Sequence, residues 1–256
     1  VLKPLFAEAK IVNGIGDQER WYAMLKPEAI KRLKERVDID FAATNQNYFE
    51  PGEAVKLKLA IKNVKKLFVK IYKINLLSFY KAKSQQPGLD INLEGMVPNW
   101  EKVYSYKDVP ALRRIDRDFA LNFCDERGAY VVEFIGGGKT SRALVRKGRL
   151  RYVSNTTAAG QAVRIYDEAD KLVENASVWI GGHEYVAEDD GLVVIPFSTR
   201  PGKTKIILSD GRFHSLAQFN HVGENYALSV GFHVDRESLI SLEEAQVIVR
   251  PMLYVN

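Results

Sequence analysis

Residues 130–148 read YVVEFIGGGKTSRALVRKG, and the reading of the glycine run inside them decides the fold class. A phosphate-binding loop needs G-x-x-x-x-G-K-[ST], with loop N–H groups around the phosphates and a helix opening behind them. Counting back from Lys139, the first glycine of that pattern falls on Glu133. A carboxylate there faces a bound anion with the wrong sign. Behind Thr140 only seven residues, Ser141 to Lys147, precede Gly148, too short a run for the helix. Tyr130 to Ile135 is rich in β-branched and aromatic residues and reads as a strand. The stretch is therefore a β-hairpin whose glycines supply positive φ at little steric cost.

Outward from the hairpin, the same period of two recurs. Pro51-Gly52 marks a turn, after which Val55, Leu57, Leu59 and Ile61 point one way and Lys56, Lys58 and Lys62 the other. Leu67, Val69 and Ile71 follow, and the two runs predict a half-buried antiparallel pair with a solvated lysine face. Beyond Gly148 the turn signals return about every 8–12 residues, the spacing of a β-sandwich. Asp190-Gly191 is one of these, read as a hairpin turn before Leu192 to Phe197. Tyr226, Leu228, Val230, Phe232 and Val234 alternate again, and Ala245 to Val249 adds a further strand. The helical period is convincing once, over Lys26 to Val37, where Ile30, Leu33 and Val37 share a face behind Pro27 and Glu28. The segment before it, with Asn13-Gly14-Ile15-Gly16-Asp17, reads as loop.

The expected architecture is mainly β: tandem antiparallel sandwiches behind a short N-terminal helix. The boundaries are residues 1–37 for the linker and helix, 38–147 for a first sandwich and 148–224 for a second. Residues 225–256 complete the second or, as the favoured reading, open a third. A chain of 256 residues with 46% hydrophobic and 27% charged residues has the composition of a folded protein. The chain starts Val1-Leu2-Lys3 and runs out on a strand-like Met252 to Asn256, which reads as a piece of something longer.

Little chemistry converges. The net charge is +5, but the lysines are spread rather than gathered, which argues against nucleic acid. No apolar run approaches the ~20 residues of a membrane span. The single cysteine, Cys124, lies in an apolar stretch and reads as a buried, inert thiol. His183, His214, His221 and His233 lack the close pairing of metal ligands, and Glu188-Asp189-Asp190 lacks the spaced ligands of a calcium loop. No nucleophile elbow or HExxH motif occurs, so neither an enzyme nor a cofactor is expected. The candidate binding residues are aromatic: Trp100, Tyr104, Tyr106 and Trp179. Trp100, Tyr104 and Tyr106 lie in an irregular region and could present a sugar platform or partner surface, though packing of a sandwich edge is the simpler role.

Four segments, in order, resemble one family. Phe49-Glu50-Pro51-Gly52-Glu53-Ala54-Val55 looks like a recurrent Y-x-P-G-x-x-V opening, and Gly128-Ala129-Tyr130-Val131-Val132 like a G-x-Y-x-V strand. Ala162 to Trp179 resembles a paired V-x-V-x-D and A-x-V run, and Tyr185 to Pro196 is similar to a T-D-x-x-G-x-x-x-I-P hairpin. Together they are similar to the macroglobulin-like domains of the alpha-2-macroglobulin family. That resemblance implies a non-catalytic scaffold in protease entrapment, secreted, periplasmic or at the cell surface. Its implied partners are neighbouring domains of the parent chain and a protease. The family's thioester motif, Cys-Gly-Glu-Gln, is absent: Cys124 is followed by Asp125-Glu126-Arg127. The alternative is an adhesin or a carbohydrate- or protein-binding sandwich.

Overall fold

A computed structural model of the chain describes residues 2–224, 226–242 and 244–255. It divides into two compact units, Val1–Leu150 with Arg212–Leu216, and Arg151–Gly211 with Ala217–Asn256. The chain is mainly β with antiparallel sheets and a helical N-terminus.

The first unit opens with three helices rather than one: α1 (Leu2–Val12), α2 (Gln18–Tyr22) and α3 (Pro27–Glu35). The segment before Lys26, expected as loop, is thus largely helical. In α1 the inward residues are Ala7, Ile11 and Val12, while Leu2, Leu5 and Phe6 stay exposed. Those exposed apolar residues blur the period that would have announced a helix. Asp17 caps α2 by accepting hydrogen bonds from the N–H groups of Glu19 and Arg20. Pro27 starts α3, where a missing N–H costs nothing, and Leu33 is its buried anchor. Ala7, Ile11, Val12, Leu25 and Leu33 form a small core of their own, with Trp21, Tyr22 and Ile30 packed around it.

A sandwich follows. Its strands are β1 (Asp38–Phe41), β2 (Tyr48–Phe49), β3 (Lys56–Lys62), β4 (Lys66–Ile74), β5 (Trp100–Ser105), β6 (Ile115–Ala120), β7 (Gly128–Gly136) and β8 (Lys139–Lys147). One sheet runs β1-β3-β6 and the other β2-β8-β7-β4-β5. The core between them takes alternate residues of both: Leu57, Leu59 and Ile61 of β3, Leu67, Val69 and Ile71 of β4, and Tyr130, Val132 and Phe134 of β7. Full burial of each such side chain is worth about 1.5–3 kcal/mol. Two expectations change here. β3 and β4 are not paired with each other; β3 pairs with β1 and β6, and β4 with β5 and β7. Asn63, at φ 57°, stands where the chain passes from one sheet to the other. Alternation looks the same in strands that pair and in strands that face each other across a core. Lys56 and Lys58 are exposed, but Lys62 is buried, its Nζ donating to the Arg36 carbonyl at 2.5 Å.

The glycine run is the turn of the β7–β8 hairpin. Gly137 and Gly138 have φ of 57° and 78°, the left-handed pair of a type I′ turn. Gly136 is needed for space: a Cβ there would lie 2.6 Å from Val64 Cγ1 and 2.9 Å from the Lys66 carbonyl oxygen. The outer side of the five-stranded sheet is also covered. The segment between β4 and β5, with helix α4 (Leu76–Lys83), contributes buried Leu76, Tyr80 and Leu93. Arg142 and Arg146 of β8 hold it by donating to the carbonyls of Ile91 (3.1 Å) and Pro87 (2.8 Å).

The second unit holds β9 (Arg151–Thr157), β10 (Gly160–Tyr166), β11 (Ser177–Ile180), β12 (His183–Val186), β13 (Leu192–Ile195), β14 (Gly202–Ser209) and the greater part of β15 (His214–His221). Its sheets run β13-β10-β9 and β12-β11-β14-β15. Val163, Ile165, Val178, Val193, Ile206 and Leu208 are fully buried. Asp190-Gly191 is a turn, with Gly191 at φ 74°, but it joins strands of different sheets rather than a hairpin. Strands β16 (Tyr226–Val234) and β17 (Val247–Val255) form a separate two-stranded sheet.

Candidate binding surfaces

Among the described residues, the histidines, Asp190 and Cys124 singled out in the sequence do not converge on one site. Among the described residues no group of three or more His, Cys, Asp or Glu is placed to hold a metal. His214 and His221 are the first and last residues of β15. Seven residue steps of extended chain separate them, roughly 23 Å. The Asp190 carboxylate accepts from its own turn at Leu192 N (3.0 Å) and pairs with Arg164 (3.1 Å). Cys124 is 1% exposed, and burial pushes its thiol up to about 12 despite the opposing pull of Lys147. At neutral pH it is a packed thiol, not a thiolate nucleophile. No described helix is long and apolar enough to cross a membrane.

The structure brings three of the four candidate aromatic residues together. Trp100, Tyr104 and Tyr106 lie on β5 and just beyond it, on the edge of the five-stranded sheet, all half-buried against the first core. Tyr104 meets Phe119 edge-to-face at 5.2 Å between centroids. Lys102 stands over the Tyr104 ring at 4.9 Å and Arg117 over Tyr106 at 4.6 Å. Their rings are engaged by the core and by neighbouring cations, the arrangement of an edge-packing cluster. Trp179 lies in the second unit on β11, half-buried.

A charged seam joins the helical layer to the first sandwich. Asp38, 3% exposed, receives Arg36 on both oxygens, at 3.0 and 3.1 Å, and Arg114 Nε at 3.0 Å. Arg114 continues to Asp40 at 2.7 Å, and Lys139 reaches Asp40 at 3.3 Å. Burial alone would raise the Asp38 carboxyl, but the hydrogen bonds from Arg114 and Arg36 outweigh it and hold the group below its ordinary value of 3.8. The Arg114 N–H donates to the Val12 carbonyl at 2.9 Å, so the seam fixes the end of α1 as well. The sequence signal was the alternation Arg36-Val37-Asp38-Ile39-Asp40, but its partner Arg114 is 76 residues away from Asp38.

Two surfaces stand out among the described residues. The first is on the helical layer. Leu2 (79% exposed) and Leu5 (58%) project from α1, and Phe6 rests edge-on against Trp21 at 5.6 Å with Lys10 over it at 5.2 Å. Lys31, Arg32 and Lys34 are exposed along α3. Residues 1–37 carry eight basic and five acidic side chains. The second is one face of the β16–β17 sheet. Tyr226, Leu228, Val230, Phe232 and Val234 of β16 share it with Val247, Val249, Pro251 and Leu253 of β17, and every one of these is apolar. The other face alternates Ala227, Ser229, Gly231 and His233 with Ile248, Arg250, Met252 and Tyr254.

Comparison with known proteins matches two parts of the first unit. The family described as the actin-binding protein F N-terminal domain matches residues 1–37, the helical layer. The family described as the AbpF first immunoglobulin-like domain matches residues 67–148, from β4 to the end of β8. A curated relative, actin-binding protein F of Dictyostelium discoideum, is 35% identical over 262 aligned residues; the match covers 100% of this chain and 11% of the relative. Among solved structures, native alpha-2-macroglobulin of Escherichia coli spanning domains MG0-NIE-MG1 aligns at 11% identity and a TM-score of 0.43, over 72% of this chain and 64% of that one. Its NIE-MG1 fragment aligns at 11% identity and a TM-score of 0.40, over 71% and 96%.

Proposed function

We propose that this chain is a non-catalytic, immunoglobulin-like segment of a large actin-binding protein, and that its helical layer makes the filament contact. The observation that carries the reading is the 35% identity over the whole chain to a protein named for binding actin. The exposed leucines of α1 and the basic side chains of α3 support the choice of surface. Apolar anchors beside cations suit a protein surface that is acidic and partly apolar. The seam through Asp38 fits the role, because a contact made by helices transmits load only if the helices are fastened to the sandwich behind them. The protease-trapping scaffold draws on short strand-and-turn motifs and has no support from the curated relative. The carbohydrate-binding alternative needs presented aromatic faces, whereas three of the four candidate rings are engaged at a sheet edge.

The test is co-sedimentation of the 256-residue chain with actin filaments. The chain is expected to pellet with filaments in a saturable way. Leu2→Asp with Leu5→Asp, and separately Lys31→Glu with Arg32→Glu, are each expected to weaken binding roughly tenfold, the equivalent of about 1.4 kcal/mol. Raising the salt should weaken wild-type binding as well. No pelleting above the filament-free control would sink the reading and leave the segment as a spacer between binding sites of its parent. Binding that ignores all four substitutions would keep the function and discard the surface.

A further inference from the structure

We infer that the apolar face of the β16–β17 sheet is one half of a third sandwich core, covered by further strands of the same polypeptide that follow residue 256. This does not depend on the filament-binding reading. The hairpin's faces differ across its pleat: every described residue on one face is hydrophobic, while the other mixes Ser229, His233 and Arg250 with Ala227, Gly231, Ile248, Met252 and Tyr254. That is the pattern of an antiparallel sheet packed on one side and wet on the other. Yet most of the hydrophobic side lies open among the described residues. Phe232 is 71% exposed, Leu228 68% and Leu253 61%. Neither strand makes more than marginal contact with any element besides its partner. An isolated two-stranded hairpin is marginal in water, and contiguous apolar patches of this kind mark a surface that is covered in the working molecule.

The area selects the occupant. Nine residues at about 3.3 Å each give a face roughly 30 Å long and, for two strands, about 10 Å wide. Two copies of this chain meeting through it would bury on the order of 600–1,000 Å² in total, below the roughly 1,200 Å² of the smaller stable interfaces. A second copy is therefore too weak an occupant at ordinary concentrations. Strands tethered to the same chain need no such area, because their effective concentration is high. The matched relative has ample polypeptide outside the aligned stretch, of which this chain spans 11%. An immunoglobulin-like sandwich takes about 100 residues, so the hairpin would supply about a third of one.

The experiment compares the 256-residue chain with the same chain extended by about 70 residues of its native sequence. The readouts are hydrogen exchange at residues 226–234 and 247–255, and fluorescence of the apolar dye anilinonaphthalene sulfonate. The extended chain is expected to slow exchange across both strands by about a thousandfold, as for amides inside a folded unit, and to lose most of the dye signal. Phe232→Lys with Leu253→Lys should abolish the dye signal of the shorter chain while leaving the exchange of β7 and β10 unchanged. An extension that leaves the hairpin as exposed and as dye-binding as before overturns the proposal. So does a shorter chain that sediments as a dimer and becomes monomeric with the two lysines, since the occupant is then a second copy. A reading frame that stops at residue 256 overturns it at once.

Discussion

Replacing Asp38 by alanine should unfasten the helical layer from the first sandwich. The carboxylate is 3% exposed and accepts from two guanidinium groups at 3.0–3.1 Å. Charge-assisted hydrogen bonds are worth about 1.5–3 kcal/mol each, so loss of both arginine partners sets an upper range of roughly 3–6 kcal/mol. The side chains of Arg36 and Arg114 are 42% and 27% exposed, however, and both can turn to water when the carboxylate is gone. That halves the figure, to about 2–3 kcal/mol. Asp38→Asn keeps the volume and one acceptor and should lose about 1–2 kcal/mol.

The dependence on pH has a fixed sign. The folded carboxyl lies below its ordinary 3.8, so its contribution is fully present above that value and is lost as pH falls through the folded pKa. The gap between wild type and Asp38→Asn should be flat from pH 7 to 5 and should close below 3.8. Urea unfolding followed by tryptophan fluorescence measures it. The three tryptophans are Trp21, Trp100 and Trp179, so a Trp179→Phe background leaves reporters only in the first unit. A loss under about 0.5 kcal/mol at pH 7, the range of ordinary surface changes, would show that Asp38 is not a fastening. A penalty that stayed constant down to pH 3 would show that charge is not how it acts.

The glycine run and the cysteine give two further tests. Gly136→Ala should cost about 1–3 kcal/mol by overpacking against Val64 and the Lys66 carbonyl; a variant as stable as wild type would mean that strand β4 can move aside. Cys124, buried and with its thiol pushed up to about 12, should resist a disulfide reagent at pH 8 in the native chain and react on unfolding; rapid native labelling would contradict the packing around it.

Much of the β architecture could be read directly from the residues. The mismatch at Glu133 and the short run to Gly148 removed the nucleotide loop and left a hairpin, and a hairpin is found at Gly137-Gly138. Leu57, Leu59 and Ile61 announced their buried face, and Cys124 its burial. The helix at Pro27 was announced by its own start signals, whereas α1 was hidden because its exposed Leu2, Leu5 and Phe6 obey no inward period. The aromatic candidates were visible as residue types but not as an arrangement. Whether Tyr104 faces water or Phe119 depends on which sheet edge β5 occupies.

What the sequence determined by itself is local: where strands start and turn, which of their faces is apolar, and where a glycine must take positive φ. These follow from periodicity and backbone sterics within about ten residues. What only the tertiary structure decided is which strands pair and which merely face each other, as with β3 and β4. It also decided that Lys62, on the polar side of an alternating strand, is buried against the Arg36 carbonyl. The seam that joins Arg36, Asp38 and Arg114 belongs to the same class. The physical reason is common to all three: pairing, burial and charge contact depend on distances in space, and a pattern of residues along the chain carries no record of what comes to lie beside it.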